Sequence, residues 1–199
     1  MALLNETSKF TQNSKSTGMP FRGSMIIKPK DVNFDGTINY NYSRKCSVYY
    51  GLKKPIWFFF SGMGSQWSGM AKSMMAIDKF KESIHKCCDV LSRFKVNLIN
   101  ILLSEDKSYL DSILNPFIGI TAIQIALFDV ISDLGIEPEK IIGHSFGEIA
   151  CAYADGCLTL EQTMLSSYWR GKVVEDSSIP NGKMAAVGLS WEEAVKRCP

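Results

Sequence analysis

The sequence predicts an α/β protein with a parallel sheet, and three stretches carry that prediction. "PIWFFFSG" is a continuous apolar run closed by Ser61-Gly62, and the glycine-rich "SGMGSQWSG" follows it. "KIIGHSFGEIA" repeats the arrangement further on, with an apolar strand, a tight glycine-bounded turn and a helix. Between them "NPFIGITAIQIALFDVISDLGIEP" reads as a long buried helix. An apolar run without polar alternation suits a strand covered on both faces, as in a parallel sheet.

Each element then follows in order. Residues 1–54 are rich in Asn, Ser, Lys and Tyr and weakly periodic, and read as a linker or the tail of a preceding module. Within them "MIIKP" suits a short strand, and Asp35-Gly36 marks a possible hairpin turn. After the first strand a helix is expected over about 70–91. The long helix over 115–138 takes Pro116 in its first turn and Gly135 at its end. A helix runs from the second turn to about Tyr153, and Asp155-Gly156 makes a turn. Thr159 with Gln162 has capping-box spacing and opens a helix over about 160–175, while Ser190 with Glu193 caps another. A short strand over "KMAAVG" precedes that last helix.

Composition narrows the function classes. Apolar residues at 46% and charged residues at 21% allow a sizeable core. A net charge of +2 with dispersed basic residues gives no case for nucleic acid or an anionic membrane surface. No signal peptide is legible, and no apolar run reads as a membrane span. The six cysteines form no CxxC pair and have no histidine at zinc-ligand spacing, so no metal site is expected. They suit reduced, mostly buried thiols of a cytoplasmic protein.

The chemical case begins at Ser145. Gly143 and Gly147 let strand and helix backbones pass closely, and the turn exposes the serine oxygen as in a nucleophile elbow. The helix beginning there aims free N–H groups, notably that of Phe146, at an oxyanion formed on an attacked carbonyl. The plainer alternative is a turn using glycine for geometry and serine as an N-cap. "GMGSQW" lacks the Gly-Lys-Ser/Thr of a phosphate loop and is no dinucleotide fingerprint. It is either a second source of oxyanion donors, through the Gln66 N–H, or an ordinary strand–helix loop. Arg170 lies amid the apolar and aromatic "MLSSYW". Its planar fork would suit a free substrate carboxylate, or it simply snorkels to the surface.

"FFFSGMGSQWSGM", "IIGHSFGEIACAYADGCLT", "SYWRG" and "MAAVGLSWEEA", in this order, resemble the malonyl/acetyl transferase domain of the animal-type multifunctional fatty acid synthase. "ALLNE" and "PFRG" look like the end of the linker that follows its ketosynthase. Bacterial malonyl transferases and polyketide acyltransferases share the serine elbow. The resemblance implies a hydrolase-like large subdomain over 55–182, incomplete, and the start of a ferredoxin-like small subdomain over 183–199. It implies Ser145 as nucleophile, Gln66 and Phe146 as oxyanion donors, Arg170 on the malonate carboxylate and Met63 in the acyl pocket. His144 would match the family's histidine beside the serine, with Gly143 and Gly147 shaping the elbow. The implied reaction moves malonyl or acetyl from coenzyme A, through an acyl-serine, to the phosphopantetheine of an acyl carrier protein, without a metal. The implied partners are the carrier protein, coenzyme A thioesters and neighbouring synthase domains of a dimeric parent.

One part is missing. In the resembled family the basic histidine lies well downstream of the serine, and no histidine follows Ser145 here. His144 is adjacent to it, and His85 matches no catalytic position. The chain is therefore expected to be an incomplete piece with little activity alone. Two rivals remain: a serine esterase or thioesterase of the α/β-hydrolase class, and a non-catalytic interaction fragment.

Overall fold

The computed structural model describes residues 21–24, 45–48, 55–177 and 187–197. The chain divides into two compact units, Met1–Pro55 and Ile56–Pro199. In the first, β1 (Phe21–Ser24) pairs antiparallel with β2 (Lys45–Val48), so this segment holds paired strands that its weak periodicity does not announce. The strand expected at 25–29 and the Asp35-Gly36 hairpin lie outside the described residues.

In the second unit β3 (Trp57–Phe60) pairs with β4 (Lys140–Gly143) in parallel, Phe60 opposite Gly143. The sheet buries one face only. Phe58 and Phe60 turn inward, Phe58 edge-on to Phe128 at 6.1 Å, whereas Trp57 and Phe59 are more than half exposed. The expectation of two covered faces is corrected here. Among the described residues the cover comes from the Phe128 side, and period-two alternation sends every second side chain the other way. Lys140 Nζ lies 5.0 Å above the ring of its cross-strand partner Trp57.

Among the described residues, four helices contribute buried side chains to the core. The first, α1 (Asp78–Ser92), buries Phe80, Ile84, Cys87 and Leu91, a three-to-four-residue spacing that makes one apolar stripe. It starts later than the sequence suggests. Gly69 has φ +73°, a single 3₁₀ turn occupies Met74–Ala76, and Ile77 is extended, so the helix cannot run back to residue 70. A short α2 (Leu98–Leu103) follows, capped by Asn97 Oδ1, which accepts from Asn100 N–H at 3.1 Å. The long helix is α3 (Leu114–Asp133), with Pro116 in its first turn. Its end is a Schellman motif: Gly135, at φ +72°, donates to Ser132, and Ile136 N–H donates to Ile131. By length and composition α3 could cross a membrane, with a mean hydropathy of 1.7, which the reading of the apolar runs did not anticipate. Its Ile118, Ala122, Ile125 and Ala126 are fully buried in this protein's own core.

After β4 come α4 (Glu148–Ala154) and α5 (Leu160–Asp176). The expected capping box opens α5: Thr159 Oγ1 accepts from Gln162 N–H at 3.2 Å, and Thr159 N–H donates to Gln162 Oε1 at 2.9 Å. Helix α5 meets the start of α3 where a Cβ on Gly171 would stand 2.9 Å from Leu114 Cδ1. The last helix, α6 (Trp191–Arg197), is capped by Ser190 with Glu193. Residues 183–186 of the strand expected before it lie outside the described residues. Asp129 ties three helices together: Ser83 Oγ of α1 donates to its Oδ2, and Tyr153 hydroxyl of α4 donates to Oδ1 at 2.7 Å. Burial first, then the Asp129 carboxylate, pushes the Tyr153 phenol well above its ordinary range, so it stays a donor.

Ile125 is completely buried at the centre of α3. Ile125→Ala is expected to cost about 2–5 kcal/mol in urea unfolding, since a packed core relaxes only partly around a cavity.

Candidate active site

The turn after β4 is a constrained elbow. Ser145 has φ +55°, a left-handed conformation that a residue with a side chain adopts only when its surroundings force it. The forcing is backbone packing from three sides. A Cβ on Gly147 would lie 2.2 Å from the Phe60 carbonyl oxygen. One on Gly143 would lie 2.7 Å from Glu148 N and 2.8 Å from Cys151 Sγ, and one on Gly62 would lie 2.7 Å from the His144 carbonyl oxygen. His144 N–H donates to the Phe60 carbonyl at 2.9 Å, and Gly147 N–H to the His144 carbonyl at 3.0 Å. Ser145 opens a 3₁₀ turn, Ser145–Gly147, that runs into α4. Its side chain is exposed, and Phe146 N–H, at the start of that turn, has no intrahelical acceptor.

The glycine loop lies against this elbow at Gly62. A Cβ there would also stand 3.0 Å from Ser145 Cβ and 3.3 Å from Phe146 N. Gln66 turns its side chain back on the loop, where its Oε1 accepts from Gly64 N–H at 2.8 Å. Ser65 Oγ donates to the Gly62 carbonyl at 2.8 Å. Gly62 is thus the loop residue whose contact with the elbow is direct, and composition alone did not single it out. Met63 beside it is exposed.

Arg170 reaches the same place from α5. Its guanidinium carbon lies 5.6 Å from the centroid of the Phe146 ring, itself buried and edge-on to Phe117 at 4.1 Å. Arg170 is exposed, so burial does not demand the anionic partner that the sequence left open. Among the described residues it makes no salt bridge. Its planar fork remains available for a carboxylate.

His144 and His85 are both exposed, and His85 lies on α1. Among the described residues no hydrogen bond joins Ser145 Oγ to His144 or His85. Burial pushes the Cys87 thiol far up, and a hydrogen bond to Asp155 first, then its charge, raises Cys157. Among the described residues no three His, Cys, Asp or Glu side chains gather as a metal site. Sequence reading also missed Gln124, whose Nε2 donates to the Ser61 carbonyl at 2.7 Å. The signal was available: an amide inside "TAIQIALF" is out of place in an apolar helix.

A parallel strand pair feeding a left-handed serine into a helix start defines an α/β protein of the serine-elbow class. Residues 57–199 match the acyl transferase domain family, and the chain belongs to that family. It is 35% identical over 197 residues to the highly reducing polyketide synthase phiA of a fungal species, covering 94% of this chain and 7% of that protein. It is 38% identical over 154 residues to the highly reducing polyketide synthase tstA of Talaromyces stipitatus, covering 71% of this chain and 6% of that one. Among solved structures it superposes on the acyl transferase domain of ZmaA with a TM-score of 0.68 at 28% identity, over 77% of this chain and 36% of that one. The acyltransferase domain of the second module of the salinomycin polyketide synthase shares the fold, with a TM-score of 0.65 at 20% identity, over 88% of this chain and 46% of that one. The chain therefore spans under a tenth of these curated relatives and under half of these solved domains.

Gly147→Ala is expected to lower the urea midpoint strongly or prevent folding, because its Cβ would strike strand backbone that cannot move aside. Gly188→Ala, with nothing within 4 Å of its Cβ, is expected to leave the midpoint unchanged.

Proposed function

We propose that the chain carries the nucleophile and the acyl-recognition part of a malonyl/acetyl transferase. The carrying observation is the unpaired Arg170 guanidinium over Phe146, beside the exposed, left-handed Ser145. Ser145 Oγ attacks the thioester carbonyl of malonyl- or acetyl-coenzyme A. Its proton passes to a base, the oxyanion rests on Phe146 N–H and a loop donor, and coenzyme A leaves as the thiol. The phosphopantetheine thiol of an acyl carrier protein then attacks the seryl ester and frees Ser145. Arg170 holds the free carboxylate of malonate, and Met63 lines the acyl pocket. Gln66 N–H is the loop donor that the family resemblance suggests; the closeness of Gly62 to the elbow, where an added Cβ would stand 3.0 Å from Ser145 Cβ, favours the start of the loop instead.

The only histidines are His85 and His144, and the family resemblance assigns neither of them as the base. The parent is a multidomain, dimeric synthase with a ketosynthase and linker beside this domain, acting in the cytoplasm. The wording of the four motifs favours a fatty acid synthase, and the fungal relatives favour a polyketide synthase. One solved relative, a malonyl-transacylase, was captured with the holo acyl carrier protein of a type II polyketide system, which suits a carrier protein as acceptor.

Ser145→Ala is expected to abolish transfer of radiolabelled malonyl to a carrier protein. Arg170→Ala is expected to lower kcat/KM for malonyl-coenzyme A by about 10- to 100-fold, the loss of a charge-assisted pair, while acetyl loading stays within about twofold. Equal effects on both acyl groups would instead favour the esterase reading.

A further inference from the structure

We infer that Gln124 is a positioning residue for the acyl-transfer site, acting through the peptide that joins β3 to the glycine loop; this rests on the function proposed above. Gln124 lies in the middle of α3, among Ile120, Ala122, Ile123 and Ile125, and is 8% exposed. Its Nε2 donates to the Ser61 carbonyl at 2.7 Å, 63 residues away in sequence. Its Oε1 is buried and, among the described residues, has no hydrogen-bond partner. A core helix thus keeps an amide with one orphaned acceptor, and the one bond that amide makes goes to the end of β3.

What that bond fixes is the plane of the Ser61–Gly62 peptide. The peptide is trans and planar, so holding the Ser61 carbonyl also sets the direction of the Gly62 N–H. The two ends of this peptide face the elbow. A Cβ on Gly147 would stand 2.7 Å from the Ser61 carbonyl oxygen, and one on Gly62 3.0 Å from Ser145 Cβ. The Phe60 carbonyl one residue earlier already accepts from His144 N–H, so the Ser61 carbonyl is the next free handle on the strand. Gln124 takes it into the core. Without that tie the loop would leave β3 with an unpaired carbonyl and a freely rotating peptide beside the nucleophile.

The test uses the protein as its gene encodes it. Gln124→Met keeps the volume and removes the donor. Gln124→Glu keeps the shape but cannot donate while ionised. Malonylation of Ser145 is followed in single turnovers by mass spectrometry, per folded molecule as judged by thermal melting. Near about pH 8 both variants are expected to acylate about 10- to 100-fold more slowly, with the malonyl-coenzyme A concentration dependence unchanged, the signature of a misplaced site. As pH falls, the buried carboxyl, raised by desolvation, takes up its proton and can donate to Ser61. The Gln124→Glu rate relative to wild type is then expected to recover, while Gln124→Met does not. A Gln124→Met rate within about twofold of wild type, or a flat Gln124→Glu ratio across pH, overturns the inference. If the wild-type protein takes up no malonyl, the proposed function fails by that result alone. Amide exchange at Gly62, Met63 and Gly64 then decides for Gln124: about tenfold faster exchange in Gln124→Met with α3 unchanged supports it, and equal exchange overturns it.

Discussion

The structure turns on a steric crowding of four backbone stretches at one point. The end of β3, the end of β4, the start of α4 and the glycine loop converge where no Cβ would fit at Gly62, Gly143 or Gly147. That convergence holds Ser145 at φ +55° and leaves it exposed. The strain of a left-handed serine is of the order of 1–3 kcal/mol and is tolerated only where the surroundings overdetermine it. Here two parallel strands and their hydrogen bonds supply the constraint, through Phe60 carbonyl and His144 N–H.

The helices stand behind this point as its support. The stripe of α1, the buried length of α3 and the capped start of α5 form one apolar core, with Asp129 as a polar tie between α1, α3 and α4. Helix α5 then carries Arg170 to the Phe146 ring, so this cation arrives from an element distinct from the one that holds Ser145. The sheet is covered on the side of Phe58 and Phe60. Trp57, Phe59 and Ile142 stay exposed, which the near-continuous apolar wording of these strands does not by itself foretell.

Family membership and geometry bear on different parts of the function. The acyl transferase family fixes the class of chemistry. The geometry places three groups near one another: the exposed Ser145, the Phe146 amide that follows it, and Arg170 over the Phe146 ring.

Much was legible in the sequence because the deciding signals are local. Gly143 and Gly147 around Ser145 need only their immediate neighbours to make sense, as do the Thr159–Gln162 capping box and the Gly135 helix stop. Apolar runs announced β3, α3 and β4 for the same reason. What the tertiary structure alone decided depends on contacts between residues far apart in the chain. The later start of α1 followed from a turn at Gly69, and the single buried face of the sheet from which side the helices pack. The placing of Arg170 over Phe146 is a meeting of two elements, as is the bond from Gln124 to Ser61. The sequence by itself determined that Ser145 would sit in a tight turn between a strand and a helix. Only the packing of α3 and α5 decided what stands around it, because a side chain's partners across helices are set by core geometry and not by spacing along the chain.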